Sequence, residues 1–545
     1  MPVQLDTLTI RSLIQQSFQR FGDLPAVAFA GEPSLTYKQM EAEVTKLQEA
    51  LLSRGIQKGD KIAILGENGP NWVVAYLSIT TMGAVAVPIL PGFIDADCRH
   101  IIEDSESRAV FVTSKQLPKI EGTKKTGVET FWLLDDLSIV FSSGKAEAKG
   151  HPGPIPEPEP KSLAAIIYTS GTTGFSKGVL LTHENIAFDV VNSLKKFPLD
   201  TRDRFLSILP LSHTFEATGG LLCPLAEGVS IFYMRGLPTP QNLLSGMATV
   251  QPTGVLTVPL VMEKIYRKKI LPQIESKKVV ARLYRIPFFR KQLNRIAGKK
   301  LIHSLGGQLR FFMFGGAALN EDVEIFLRDA GISYSTGYGM TETSPIMTIN
   351  PFGKVKVASC GQPIPGIEMK INEPNPETGI GEIVARGPIV MQGYYKNAEA
   401  TKHVFLEGGW LRTGDLGYFD PEGYLFIKGR SKNVIIGPNG ENIYPEIIEQ
   451  QILQNTLIQQ VVVYQKEGKL AAKTYFDPDA LNQEFGADKL AKHERDIFMK
   501  ELLEKVRREI NQKLPGFSSI GRMVEQPEPF ELTPTNKVKR YLYTD

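Results

Sequence analysis

Apolar residues recur along the first part of the chain with two distinct periods. At helical spacing they run through 9–21 and again through 38–54, where Gly55 stands as a C-cap. Short unbroken apolar runs at Lys61–Leu65, Val85–Ile89, 109–113, 163–167 and 179–181 predict strands. Between them, 72–82 predicts a helix entered just after Pro70, and Pro91-Gly92 marks a turn. Strands alternating with helices in this way predict a layered α/β domain with largely parallel sheets.

After about residue 355 the texture changes. Glycines become frequent, and short β-rich runs at Gly381–Arg386 and 423–428 alternate with turns. This predicts a small distorted β-barrel or antiparallel sheet closing the large domain. Beyond Arg430 the pattern returns to strands at 461–464 and 470–476 and a charged amphipathic helix at 492–512. The expected organisation is a large N-terminal domain, 1–430, and a small mobile α+β C-terminal domain, 431–545, with a hinge near Lys432. Residues 151–160 hold five prolines and predict an extended connector.

Composition narrows the class without naming a function. At 545 residues the chain exceeds one core, and 42% hydrophobic with 22% charged residues is ordinary for a soluble enzyme. Cys98, Cys223 and Cys360 are scattered and show no metal-ligand spacing, which suits a reducing compartment. Residues 1–10 lack a basic region followed by an apolar one, and no run reaches the length of a membrane span. A cytoplasmic location is expected. The net charge of +3 conceals an asymmetry: 264–300 holds thirteen Lys/Arg against one acid, Glu275, a local +12 that leaves −9 elsewhere. With Phe288 and Phe289 among these charges, the segment suits an anionic membrane, a phosphorylated cofactor or an acidic protein, and equally a solvated helix pair. No nucleic-acid-binding motif accompanies it.

The chemistry is densest where the strand-like run 163–167 leads to 179–181. There the chain reads Tyr168-Thr169-Ser170-Gly171-Thr172-Thr173-Gly174-Phe175-Ser176-Lys177-Gly178-Val179. Glycines allow close backbone approach, hydroxyls and N–H groups suit phosphate oxygens, and Lys177 adds compensating charge. A Walker loop is excluded, because Lys177 is followed by Gly178 and a strand-like run where Ser/Thr and a helix are required.

This loop resembles the phosphate-binding loop of the adenylate-forming superfamily. Further motifs extend the resemblance in that superfamily's order: Leu209-Pro210-Leu211-Ser212-His213-Thr214-Phe215-Glu216, Gly315-Gly316-Ala317-Ala318, Gly337-Tyr338-Gly339-Met340-Thr341-Glu342, Gly393-Tyr394-Tyr395, Thr413-Gly414-Asp415, Gly429-Arg430 and Pro534-Thr535-Asn536-Lys537. The resemblance implies that Thr169, Ser170, Gly171, Thr172, Thr173 and Gly174 hold ATP phosphates. Thr341 and Glu342 take the phosphate and magnesium roles, with Thr169 as a second Mg²⁺ contact. Gly315, Gly316 and Ala317 border the base, with Gly337, Tyr338 and Gly339 beside the adenine. Asp415 accepts from the ribose hydroxyls, helped by Arg430. His213 lines the acyl site. Lys537 steadies the carboxylate and α-phosphate, Lys432 marks the hinge, and Gly440 borders the thiol path.

Two-step chemistry is implied, in which a carboxylate attacks MgATP to give acyl-adenylate and pyrophosphate, and coenzyme A then takes the acyl group. The segment 209–216, the basic insert before 311–316 and the ending 532–537 resemble long-chain fatty acid–CoA ligases, with an acyl tunnel expected near 258–262. An acyl–acyl carrier protein synthetase shares every nucleotide residue and is the alternative. A non-catalytic nucleotide- or lipid-sensing module is disfavoured by the joint presence of Lys177, Glu342, Asp415 and Lys537. Expected partners are fatty acid, ATP and CoA, with an acyl carrier protein or an anionic membrane at 264–300 as further options. The latter would make the protein peripheral at the inner membrane face.

Overall fold

The computed structural model describes residues 3–125, 127–143, 153–169, 176–236, 239–437, 441–533 and 537–544. They form two compact units: residues 1–369, 385–411 and 421–425, and residues 370–384, 412–420 and 426–545.

The first unit is built on two mixed sheets. One has eight strands, in the order Gly393–Tyr394, Lys177–Thr182, Leu163–Thr169, Val85–Ile89, Lys61–Leu65, Ala109–Val112, Thr130–Leu133 and Ile139–Ser142. The other has nine: Gln362–Pro363, Ile346–Ile349, Ser333–Gly339, Phe311–Phe314, Gly254–Thr257, Arg204–Ser207, Ser230–Tyr233, Pro25–Phe29 and Leu35–Thr36. The central pairings of both sheets are parallel, as the strand–helix alternation predicts. Antiparallel strands close both ends of each sheet. Leu35–Thr36 and Ile139–Ser142 follow their neighbours through short connections that need no crossover helix, whereas Gly393–Tyr394 reaches Lys177–Thr182 from far along the chain.

Helix starts follow local chemistry. Thr9 caps Ile10–Phe21, Thr36 and Gln39 form a capping box for Tyr37–Ser53, and Thr182 with Asn185 does the same for His183–Leu194. At the end of Tyr37–Ser53, Gly55 takes φ +79° and Ile56 N donates back to Leu51 O at 3.2 Å, a left-handed C-terminal cap. Helix Pro70–Thr81 carries its proline in the first turn and is buried at every position from Trp72 to Thr81. A helix apolar all round must be enclosed on all sides, and one core joins it to side chains of both sheets, including Ile64, Phe111, Phe205 and Phe311.

The second unit contains most of the sheet Glu368–Asn372, Gly381–Arg386, Trp410–Phe419 and Leu425–Arg430. Its other part is the three-stranded sheet Ile458–Lys466, Lys469–Phe476 and Ile520–Glu525, covered by Pro445–Ile452 and Lys492–Asn511. Ile448, Ile452, Val463, Leu502 and Val506 fill a separate core there. The second unit thus takes in 370–384 and 412–420 as well as the residues after 430.

Candidate active site

Strand Lys177–Thr182 pairs antiparallel with Leu163–Thr169, and the register sets Lys177 opposite Thr169. The two ends of the hydroxyl-rich loop are therefore side by side. Ser170, Gly171, Thr172, Thr173 and Gly174 lie outside the described residues. The strand begins two residues before the run at 179 because Gly178 is held on both sides. It faces Tyr168 in the register, and its carbonyl accepts from Tyr395 N at 2.7 Å.

That second neighbour, Gly393–Tyr394, delivers a side chain that links two motifs. The Lys177 Nζ lies 5.2 Å from the centroid of the Tyr394 ring. The Tyr394 hydroxyl donates to Glu342 Oε1 at 2.8 Å. Burial and the Glu342 carboxylate both push the Tyr394 phenol above its ordinary range, so it stays a donor at neutral pH. Glu342 sits in the short turn Thr341–Thr343, only 8% exposed, and its carbonyl accepts from Met391 N at 3.0 Å. The turn follows Gly337, Tyr338 and Gly339, which end strand Ser333–Gly339. The phosphate-loop lysine, an aromatic ring and the acidic turn thus form one array.

A second group surrounds His213. Asn68 clamps the segment before it: Nδ2 donates to Leu209 O at 2.6 Å and Ser207 Oγ at 3.1 Å, while Oδ1 accepts from Leu211 N at 2.8 Å. Ser207 Oγ in turn donates to Glu216 Oε1 at 2.5 Å. Glu216 is fully buried, and desolvation pushes its carboxyl up to about 8. His213 Nδ1 accepts from Phe215 N at 3.3 Å, which sets the ring's orientation. Phe215 packs against Gly315 so closely that a Cβ there would lie 2.8 Å from the ring. The His213 segment and the Gly315-Gly316-Ala317 turn therefore adjoin. Gly316 takes φ +83°, a conformation glycine permits, while Gly316 and Ala317 are exposed at the end of strand Phe311–Phe314.

The π-helical turn Glu216–Leu222 continues from this segment, and its Thr218 Oγ1 donates to Ser344 O at 3.0 Å, tying it to the acidic turn. Beside it is a small cavity with room for about one water, lined by Tyr76, Ile167, Leu211, Ser212, Thr214 and Thr218 among others. Ser212 Oγ and Thr214 Oγ1 are buried there without a hydrogen-bond partner. Buried hydroxyls left unpaired are costly, and a cavity of this size suits a single water bridging them. A second cavity is lined by Ile208, Val255, Val261, Met262, Ile265 and Phe312 among others. Thr257 supplies its one polar side chain, and its unpaired hydroxyl is buried there. The slot is narrow, with room for about one water. Met262 is 1% exposed, so this stretch of the expected tunnel is also core.

In the second unit, Arg430 Nε lies 3.2 Å from Asp415 Oδ1, and Asp415 is 8% exposed. Its backbone N–H donates to Thr413 Oγ1 at 3.1 Å, which fixes the glycine-rich turn. Lys432 is exposed in the turn Ser431–Asn433. Lys537 is also exposed and lies on a small hairpin, where Leu532 bridges Val538 and Thr533 N donates to Lys537 O at 2.7 Å. Gly440 lies outside the described residues.

Among the described residues, no group of three or more His, Cys, Asp and Glu is arranged to hold a metal ion. A divalent ion here would rely on Glu342, a hard oxygen donor, with Thr169 and a phosphate ligand completing its shell. Sequence reasoning passed over Asn68, Glu216 and Tyr394 as site residues. Glu216 and Tyr394 stand inside the motifs quoted above, which was the available signal. For Asn68 the only cue was a polar residue in the short turn after the apolar strand Lys61–Leu65.

Two sheets sharing a buried helical core, with Lys177 linked through Tyr394 to an acidic turn, define the adenylate-forming class. The anthranilate CoA ligase AuaEII, solved with anthranoyl-AMP, has this fold, with a TM-score of 0.79 at 20% identity, covering 98% of this chain and 96% of that one. Residues 14–395 match the AMP-binding enzyme family, and the chain belongs to it. It is 29% identical to the long-chain-fatty-acid–CoA ligase FadD15 of Mycobacterium bovis, over 90% of this chain and 87% of that one. It is also 29% identical to the chloroplastic long-chain-fatty-acid–[acyl-carrier-protein] ligase AEE15 of Arabidopsis thaliana, over 82% and 73%.

Proposed function

We propose that the chain activates a long-chain fatty acid with ATP and transfers the acyl group to coenzyme A. The observation that carries this reading is the Lys177–Tyr394–Glu342 array, which sets a cation and a hard anion on either side of one ring. Lys177 binds the terminal phosphates, and Thr341 meets the α-phosphate. Glu342 and Thr169 hold Mg²⁺, which neutralises phosphate charge when bound. A carboxylate oxygen attacks the α-phosphorus, and the bond to pyrophosphate breaks. The thiol sulfur then attacks the acyl carbonyl, and AMP leaves with the bonding pair. Asp415 and Arg430 hold the ribose. Lys537 supplies a cation during the first step, and Lys432 marks the hinge that exchanges the two steps. No covalent enzyme intermediate is required.

The likeness to the long-chain-fatty-acid–CoA ligase FadD15 supports an aliphatic acid. The apolar slot between Val261, Met262 and Phe312 would have to open to admit one. ATP–pyrophosphate exchange with acids of increasing chain length tests the reading. Exchange should rise towards long chains, and exchange with acetate or benzoate alone would refute it. The second reading, transfer to an acyl carrier protein, is favoured by the likeness to AEE15. Thioester formation with coenzyme A against holo-carrier protein separates the two acceptors.

A further inference from the structure

Among the described residues, 260–296 hold six of the fifteen exposed large apolar side chains: Leu260, Val279, Ile286, Phe288, Phe289 and Ile296. Phe288 and Val279 are 68% and 69% exposed. Helices Lys278–Tyr284 and Pro287–Ser304 carry most of them. The inner side of the longer helix is unambiguous. Gly298 lies against Ala330, where a Cβ would come within 2.6 Å, Asn294 is fully buried, and Arg290 pairs with Asp329 at 3.1 Å.

At about 100° per residue, the opposite arc presents Lys291, Arg295, Phe288, Lys299, Gln292, Ile296, Phe289 and Lys300 in angular order. All eight are exposed. Aromatic and aliphatic side chains therefore alternate with lysines, an arginine and a glutamine across one exposed face. Lys277, Lys278, Arg282 and Arg285 extend the positive field across the shorter helix. Among the described residues none of these eight cations forms an ion pair. A merely solvated helix pair gains nothing from exposing phenylalanines, whereas a helix lying in a lipid headgroup layer buries them and pairs its cations with phosphates. No helix among the described residues is long and apolar enough to cross a membrane, so the contact is one of surface docking.

We infer that this face docks the enzyme on an anionic lipid bilayer, with Phe288, Phe289 and Ile296 entering the headgroup layer. The inference rests on the fatty-acid reading only for its purpose, since such acids partition into bilayers. The same segment also walls the apolar slot, through Val261, Met262 and Ile265 at its start and Leu305 at its end. An acidic carrier protein would need the cations but not the exposed phenylalanines, which is why the bilayer is favoured.

The test is flotation of the full chain with phosphatidylcholine vesicles containing about one third phosphatidylglycerol, without substrate, beside vesicles of phosphatidylcholine alone. The wild type should float with the anionic vesicles and be released by high salt. The triple variant Lys291→Glu, Arg295→Glu, Lys299→Glu should bind on the order of a hundredfold more weakly. The double variant Phe288→Ser, Phe289→Ser should also lose binding while keeping every charge. Pyrophosphate exchange with a water-soluble acid, run in parallel, should be unchanged in both variants, which separates this inference from the ligase reading. Equal flotation of the wild type and either variant would overturn it. So would absence of vesicle binding with a salt-sensitive carrier-protein complex lost in the triple variant.

Discussion

Replacing Tyr394 with Phe removes one oxygen and leaves the ring in place. The hydroxyl donates to Glu342 at 2.8 Å inside a site where Glu342 is 8% exposed. A hydrogen bond to a charged group is worth about 1.5–3 kcal/mol. A water entering the gap recovers part of this, so a net loss of about 1.5 kcal/mol is expected. That is about tenfold in kcat/KM for MgATP. Tyr394→Leu also removes the face over which Lys177 lies at 5.2 Å, adding about 0.5–1 kcal/mol and a further fewfold loss.

The assay is ATP–pyrophosphate exchange at saturating fatty acid, titrated in both ATP and Mg²⁺. If Glu342 is the carboxylate that meets the ion, the Phe variant should need more Mg²⁺ for half-maximal rate, since its ligand has lost the donor that aimed it. Thermal unfolding should change little, because ring packing is preserved. An unchanged Mg²⁺ requirement together with kcat/KM within twofold of wild type would remove Glu342 and Tyr394 from the phosphate site. A loss of rate with an unshifted Mg²⁺ midpoint would keep Tyr394 in the site but deny Glu342 the metal role.

Three further outcomes are expected. Lys537→Ala should abolish pyrophosphate exchange while leaving thermal unfolding unchanged, because the side chain is exposed on its hairpin; undiminished exchange would sink its proposed role. Glu216 has its pKa raised to about 8 by burial, so between the ordinary carboxylate range and pH 8 the folded state keeps a proton that the unfolded state has released. Stability should therefore fall as pH rises through that window, by about 1 kcal/mol per pH unit, and level off above it. Glu216→Gln should flatten this slope in calorimetry across pH 5–9, and an identical slope in the variant would count against the assignment. Gly315→Ala should displace the Phe215 ring, costing about 1–3 kcal/mol in stability and raising KM for the acid more than for ATP.

The parts of the fold legible in the sequence are those decided locally. Strands Lys61–Leu65 and Val85–Ile89 stand where their unbroken apolar runs predict them, since a strand buried on both faces needs no partner to be recognised. Helix Tyr37–Ser53 ends at Gly55 for a reason contained within a few residues. The start of strand Lys177–Thr182 was not readable, because glycine is a poor strand former and Gly178 is held only by neighbours distant in sequence. The basic segment announced its charge, but which side of Pro287–Ser304 faces outward is decided by Asp329 and Ala330, on another helix.

The site divides along the same line. Lys177 and Glu342 were legible as chemistry because each stands in a motif with its own logic, yet their connection through Tyr394 depends on a strand pairing formed in three dimensions. The motif 209–216 shows the point most sharply. Read as a string, it offers His213 as a candidate for chemistry and gives Glu216 no role. In the fold, Glu216 is fully buried against Ser207, and Asn68 fastens the backbone on either side of Pro210. Such a carboxyl, kept neutral by desolvation, holds the segment in place and has no access to substrate. His213, half-buried and oriented through Phe215 N, keeps the exposure that its proposed contact with a ligand requires. A motif of this kind mixes residues that do chemistry with residues that hold them, and burial is what tells the two apart.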